Sequence, residues 1–331
     1  MVKNALDFEK PITELQKKIS ELEHFSSTSG IDCREQLDAL NGHLDTLKKE
    51  IYSNLTPWQR IQLSRHPDRP YALDYIERIF NSFTELAGDR RFSDDKAIIG
   101  GFAKLGTLPV MVIGTQKGRD MKSNVYRNFG WPHPEGYRKA NRLMRLAEKA
   151  QVPVICFIDT PGAFPGIASE ERHIAEAIAA NLRDMFELTV PVIAVIIGEG
   201  GSGGAIGLGV GNRILVLENA YYSVITPEGC AAILWKDRKF APQAAEALKL
   251  TADKLIGLGI ADEIVSEPFG GAHRDYDEAA KLLGEAISRN IAELKAMSAN
   301  SLKEQRYEKF RAMGKVEELT QEEDSGSVAE E

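Results

Sequence analysis

The chain has 331 residues, 43% hydrophobic and 27% charged, which excludes a wholly disordered or collagen-like protein and leaves room for one large domain plus something smaller. Its 41 basic and 49 acidic side chains give a formal net charge of −8, which argues against a general binder of nucleic acid or anionic membrane. No apolar run approaches the roughly 20 residues that span a bilayer, and the N-terminus lacks both a secretory core and an Arg-rich, acid-poor transit bias.

From the N-terminus, Ile12, Leu15, Ile19 and Leu22 recur at 3-4-3 spacing. After a Ser- and Gly-containing break, Leu37, Leu40, Leu44, Leu47 and Ile51 recur at 3-4-3-4. Two such stripes predict an antiparallel helical hairpin over 1–55, packed on the chain's own body or on a second subunit. A proline-punctuated stretch leads into the main domain, assigned to 56–313. The segment 314–331 carries seven carboxylates against Lys315 alone and reads as an acidic, disordered tail. Cys33, Cys156 and Cys230 are isolated and odd in number, so neither a disulfide framework nor a zinc site is expected within this chain, and the compartment should be reducing.

In the main domain three apolar runs open on proline and close on glycine: LPVMVIG at 108–114, VPVICFIDTPG at 152–162 and VPVIAVIIG at 190–198. The last two are offset by 38 residues, Pro153 to Pro191, around a helical stretch at 170–188 with Ile174, Ile178 and Leu182 on one face. Short Val/Ile runs alternating with helices predict an α/β fold of buried strands and crossovers, and a period near 40 predicts stacked units sharing one core. Strands at 213–218 and 222–225 follow, then a long amphipathic helical region at 275–310.

The chemistry concentrates in 198–211, GEGGSGGAIGLGVG, directly after a strand, where bare backbone N–H groups can approach a ligand. If Gly203 and Gly204 open a helix, their free N–H groups and its dipole would face a negative charge. Four readings compete. Gly198, Gly200 and Gly203 match G-x-G-x-x-G, with Glu218 placed as a ribose-binding acid, but the intervening helix would have to fit 203–212 with glycines inside it. Gly200, Ser202 and Gly204 match G-x-S-x-G, with Asp237 or Asp262 and then His273 in hydrolase order, but four residues intervene between Ile197 and a sharp turn at the serine. Close packing of helix on sheet is the third. The fourth is an oxyanion hole without a nucleophile, completed by a second glycine-bearing strand end, Thr160-Pro161-Gly162-Ala163, on the same rim. Each peptide donor there can contribute about 3–4 kcal/mol to a transition state.

The long stretches ELAGDRRFSDDKAIIGGFAKL (85–105), IGTQKGRD (113–120), NFGWPHPEGYRKANRLMRLAEKA (128–150), FIDTPGAFPGIASEERHIAEAIAANLRDM (157–185) and VIIGEGGSGGAIGLGVGNRI (195–214), with EPFGGAHRD (267–275), together resemble the carboxyltransferase alpha subunit family of multi-subunit acetyl-CoA carboxylase. The resemblance covers nearly everything but the acidic tail. It implies a crotonase-like spiral of strand–helix units, and transfer of a carboxyl group from carboxybiotin on a carrier protein to acetyl-CoA, giving malonyl-CoA for fatty acid biosynthesis.

By the same resemblance Gly203 and Gly204 form the carboxybiotin-side oxyanion hole, with Gly162 and Ala163 as its second wall. Gly200 and Gly201 line the carboxybiotin or CoA pocket. Arg138 and Arg142, on one helical face with Arg145, are candidates for CoA phosphates, the acidic carrier or the beta subunit, or are simply a solvated face. The partners implied are a homologous beta subunit in an α2β2 heterotetramer, the biotin carboxyl carrier protein, and a separate biotin carboxylase that alone consumes ATP. Zinc belongs to the beta subunit. The setting implied is the cytoplasm.

Overall fold

The computed structural model describes residues 4–314, so all but Gly314 of the predicted acidic tail lies outside them. Eight strands form one sheet: β1 (Phe83–Glu85), β2 (Ile98–Leu105), β3 (Leu108–Thr115), β4 (Val154–Thr160), β5 (Val192–Gly201), β6 (Arg213–Leu217), β7 (Tyr221–Ser223) and β8 (Glu263–Val265). Their order is β1-β2-β3-β4-β5-β6-β8, and β7 branches off to pair with the far end of β5. The first three strands are antiparallel neighbours; from β3 onward every pairing is parallel. Helices cover both faces. A Cβ on Gly100 of β2 would meet Leu143 of the helix Pro134–Ala150, whereas one on Gly114 of β3 would meet Ala72 of the helix Ala72–Ile79. Every residue of β4 and β5 is buried, as expected of strands covered on both sides.

The 38-residue offset read from Pro153 and Pro191 reappears as the pairing register of β4 on β5, from Val154 opposite Val192 to Ile158 opposite Ile196. The register then shifts, and Thr160 lies opposite Gly200. Two helical expectations need correction. The stretch at 170–188 is two helices, Ile167–Glu171 and Ile174–Glu187, because His173 adopts φ +62° and breaks the ladder. The region at 275–310 is likewise two helices, Tyr276–Lys295 and Ala299–Arg311, the second capped by the Ser298 hydroxyl, which accepts from the Ser301 N–H.

The N-terminal hairpin consists of Lys10–Ser29 and Arg34–Ser53. Its stripes face each other, Ile12, Leu15, Ile19 and Leu44 forming a small core distinct from the main one. It meets the body at its base. Tyr52 packs edge-on against Phe269 at 5.5 Å, and Arg274 donates to Glu9 at 2.7 Å. Among the described residues no helix is long and apolar enough to cross a membrane.

Candidate active site

The two glycine-bearing strand ends come together. β5 runs through Gly201, and a single turn of helix, Ser202–Ile206, follows. A Cβ on Gly201 would lie 2.2 Å from the Pro161 carbonyl oxygen, and one on Gly204 would lie 2.4 Å from the Gly162 carbonyl carbon and 2.6 Å from the Ala163 nitrogen. Only glycine lets these backbones approach so closely. Gly203 is different: a Cβ there would meet only Ile178 at 3.5 Å, an ordinary contact. Gly200 sits against Tyr221 and Tyr222 of β7.

The polar groups of the loops divide into committed and free. The Thr160 hydroxyl accepts the Gly162 N–H at 3.1 Å and donates to the Gly130 carbonyl at 2.7 Å, so the Gly162 N–H is spent on the turn. The Ala163 N–H has no hydrogen-bond partner among the described residues. Gly203 and Gly204 occupy the first turn of their helix, where N–H groups have no intrahelical acceptor. With five residues this helix supplies free donors and little macrodipole. Tyr137 donates to the Gly204 carbonyl at 3.1 Å, and Trp131 stands 3.1 Å from where a Gly162 Cβ would be. An apolar groove of about 520 Å³ opens beside Ser202, walled by Ile206, Tyr222, Val224, Leu255 and Phe310.

Beneath the loops lies a charged cluster that motif reading did not assemble. Lys117 donates to Asp159 at 2.6 Å and to Glu199 at 2.7 Å; Glu199 also accepts from Arg65 at 2.8 Å and from the Tyr221 hydroxyl at 2.9 Å. Burial pushes the Glu199 carboxyl up, but Lys117 and Arg65 outweigh it and hold it at about 2. The signal available was the position of Asp159 and Glu199, each immediately before a glycine-bearing strand end.

Two rival readings lose their geometry. Gly198 and Gly200 lie within β5 and the following helix has one turn, so no dinucleotide-type helix exists; Glu218 accepts from the Glu267 N–H. The objection that residues intervene before Ser202 does not hold, because the strand continues to Gly201 and Ser202 turns with φ +51°. What removes the hydrolase is the partner: His273 stacks on His66 at 4.1 Å, and no hydrogen bond joins it to Ser202 among the described residues.

Arg138 and Arg142 are not a solvated row. Arg138 donates to the Arg172 carbonyl at 2.7 Å, and Arg142 ties the carbonyls of Gly88, Leu86 and Ala87. Among the described residues no three His, Cys, Asp or Glu side chains could share a metal ion.

Comparison with known proteins agrees with this geometry. The chain is 57% identical over 311 residues to the acetyl-coenzyme A carboxylase carboxyl transferase subunit alpha of Geobacillus kaustophilus, covering 94% of this chain and 96% of that one. Its fold is shared with a transcarboxylase 12S structure (TM-score 0.52, 18% identity, 66% of this chain and 42% of that chain). It is shared too with a Pseudomonas malonate decarboxylase hetero-tetramer in complex with coenzyme A (TM-score 0.57, 16% identity, 71% and 91%). The fold they share with the chain is crotonase-like, and the acetyl co-enzyme A carboxylase carboxyltransferase-like family model matches residues 5–314. With its glycine-bearing strand ends in backbone contact and this likeness along nearly its whole length, the chain belongs to the acetyl co-enzyme A carboxylase carboxyltransferase-like family.

Proposed function

We propose that the chain supplies the carboxybiotin half of a carboxyltransferase centre, which moves a carboxyl group from carboxybiotin on a carrier protein to acetyl-CoA and yields malonyl-CoA. The observation that carries the reading is the contact between Gly204 and the Gly162–Ala163 peptide, which brings together two loops whose Ala163, Gly203 and Gly204 N–H groups have no acceptor among the described residues. Departure of the carboxyl group leaves negative charge on the ureido ring of biotin. Fixed peptide donors stabilise such charge without acting as acid or nucleophile. The biotin nitrogen can then take the methyl proton of acetyl-CoA, so no side-chain base is needed.

Gly201 lets the strand ends lie close while Gly200 sits against β7, and the apolar groove beside Ser202 suits the hydrocarbon arm of a biotinyl group. The enolate of acetyl-CoA is assigned to the corresponding hole of a beta subunit in an α2β2 heterotetramer of the cytoplasm. Zinc is assigned to that subunit, and ATP to a separate biotin carboxylase. Arg138 and Arg142 contribute by holding loop carbonyls, with their remaining N–H groups directed to the carrier or to CoA phosphate. Mixing the chain with its beta subunit, acetyl-CoA and carboxybiotin carrier tests the reading. Malonyl-CoA should form from the mixture and from neither subunit alone; activity of a lone monomer would overturn the division into halves.

A further inference from the structure

The residue just before each candidate loop is a carboxylate, and both turn toward one cation. Asp159 precedes Thr160–Ala163 on β4, and Glu199 precedes Gly200–Gly204 on β5. Lys117, two residues beyond β3, places Nζ 2.6 Å from Asp159 Oδ1 and 2.7 Å from Glu199 Oε2. Asp159 Oδ1 also accepts the Glu199 N–H at 2.9 Å. These bonds join β4 to β5 where the backbone register slips.

The same lysine reaches the wall of the site. Its stem passes under Gly130, where a Cβ would lie 2.6 Å from Lys117 Cγ; the Gly130 carbonyl accepts from Thr160, and the neighbouring Trp131 faces Gly162. Arg65 completes the cluster on the far side of Glu199 and reaches Glu228 at 2.5 Å. Asp159 is 1% exposed and Glu199 8%. A buried ion cluster contributes little net stability compared with well-packed apolar residues, because desolvation offsets attraction. What it can do is fix distances, and a reactive constellation must be held to within about 0.5 Å.

We propose that Lys117 is a positioning residue for the carboxyl-transfer centre: it clamps the bases of the two glycine-bearing loops so that their N–H groups stay apposed, without touching the reacting atoms. This rests on the function proposed above. Removing the ammonium leaves two facing carboxylates that push the strand ends apart, and a 1 Å misplacement can cost about 10²-fold in rate.

The test uses the complex with the beta subunit and Lys117→Met, which keeps the length of the side chain and removes its charge. Turnover should fall by about 10²-fold, while the KM for acetyl-CoA stays unchanged because that substrate is held by the other subunit. Amide hydrogen exchange should accelerate together in 159–164 and 198–206 and stay slow in the centre of β5. The double variant Lys117→Met/Asp159→Asn, whose amide can donate to Glu199, should restore much of the protection and turnover. Unchanged exchange in both loops, loosening of one loop alone, or failure of the double variant to recover a folded, protected rim would overturn the clamp. An inactive wild-type complex would overturn the proposed function instead, and the exchange experiment would still decide the clamp.

Discussion

Gly203 and Gly204 are adjacent in sequence and opposite in what they tolerate, which makes them a discriminating pair. In Gly204→Ala the new methyl would lie 2.4 Å from the Gly162 carbonyl carbon, where ordinary contact begins near 3.4 Å, so the loops must separate by about 1.0 Å. Overpacking of this kind costs about 1–3 kcal/mol. At about 2–4 °C per kcal/mol for a domain of comparable size, melting should fall by several degrees. The same 1 Å displacement should lower turnover by about 10²-fold. Gly203→Ala meets only Ile178 at 3.5 Å and needs no adjustment of the protein, so its melting temperature should equal or exceed the wild type's, alanine being the better helix former. Any loss of turnover in that variant then reports a substrate pressing on the site. The assay is malonyl-CoA formation by the reconstituted complex beside thermal unfolding of the chain. A Gly204→Ala protein with wild-type melting and turnover would refute the apposition of the loops.

Ser202→Ala should keep turnover within the wild-type order of magnitude, and a fluorophosphonate should not label the chain; a dead, label-resistant variant beside a labelled wild type would make the serine a nucleophile. Burial, His66 and Arg274 hold the His273 imidazole down at about 3, against 6.5 when exposed. The unfolded chain therefore binds the proton first, and stability should decline as pH falls from about 6.5 toward 3; His273→Phe should flatten that slope in melting curves taken across the range. Arg69→Met leaves the fully buried Glu267 carboxylate without its bidentate partner and should cost about 3–5 kcal/mol in urea unfolding, because an uncompensated buried charge remains. An unchanged urea midpoint would show that the pair is not buried as described.

The sheet was legible because its strands are marked at both ends and repeat at a fixed interval: the Pro153-to-Pro191 offset is the hydrogen-bonding register itself. The break at His173 was not, since nothing in a run of good helix formers announces a left-handed residue. The glycines of 198–201 were read as loop, yet they are strand, tolerated because close neighbours fill the space their side chains would occupy. Helical spacing put Arg138 and Arg142 on one face correctly but could not tell what that face touches, which is a set of carbonyls 34 to 56 residues away. The clamp was least legible. Arg65, Lys117, Asp159 and Glu199 come from separate elements, and only the folded sheet edge brings them within bonding distance.

Between Ile158 and Thr160, β4 advances by two residues while β5, from Ile196 to Gly200, advances by four. The excess is two, an even number, and side chains alternate faces with a period of two. Everything past the slip therefore keeps the face it would have had in an unbroken ladder, with Glu199 toward Lys117 and Gly200 toward Tyr221. Parity is the constraint this imposes. Removing one residue at 197 or 198 would exchange the two, setting a carboxylate against the Tyr221 backbone and a hydrogen above the ammonium, whereas removing both would shorten the strand without inverting it. Chimeras that splice this segment from one carboxyltransferase into another can vary its length in pairs of residues, and a graft odd by one should fold its sheet and lose its chemistry.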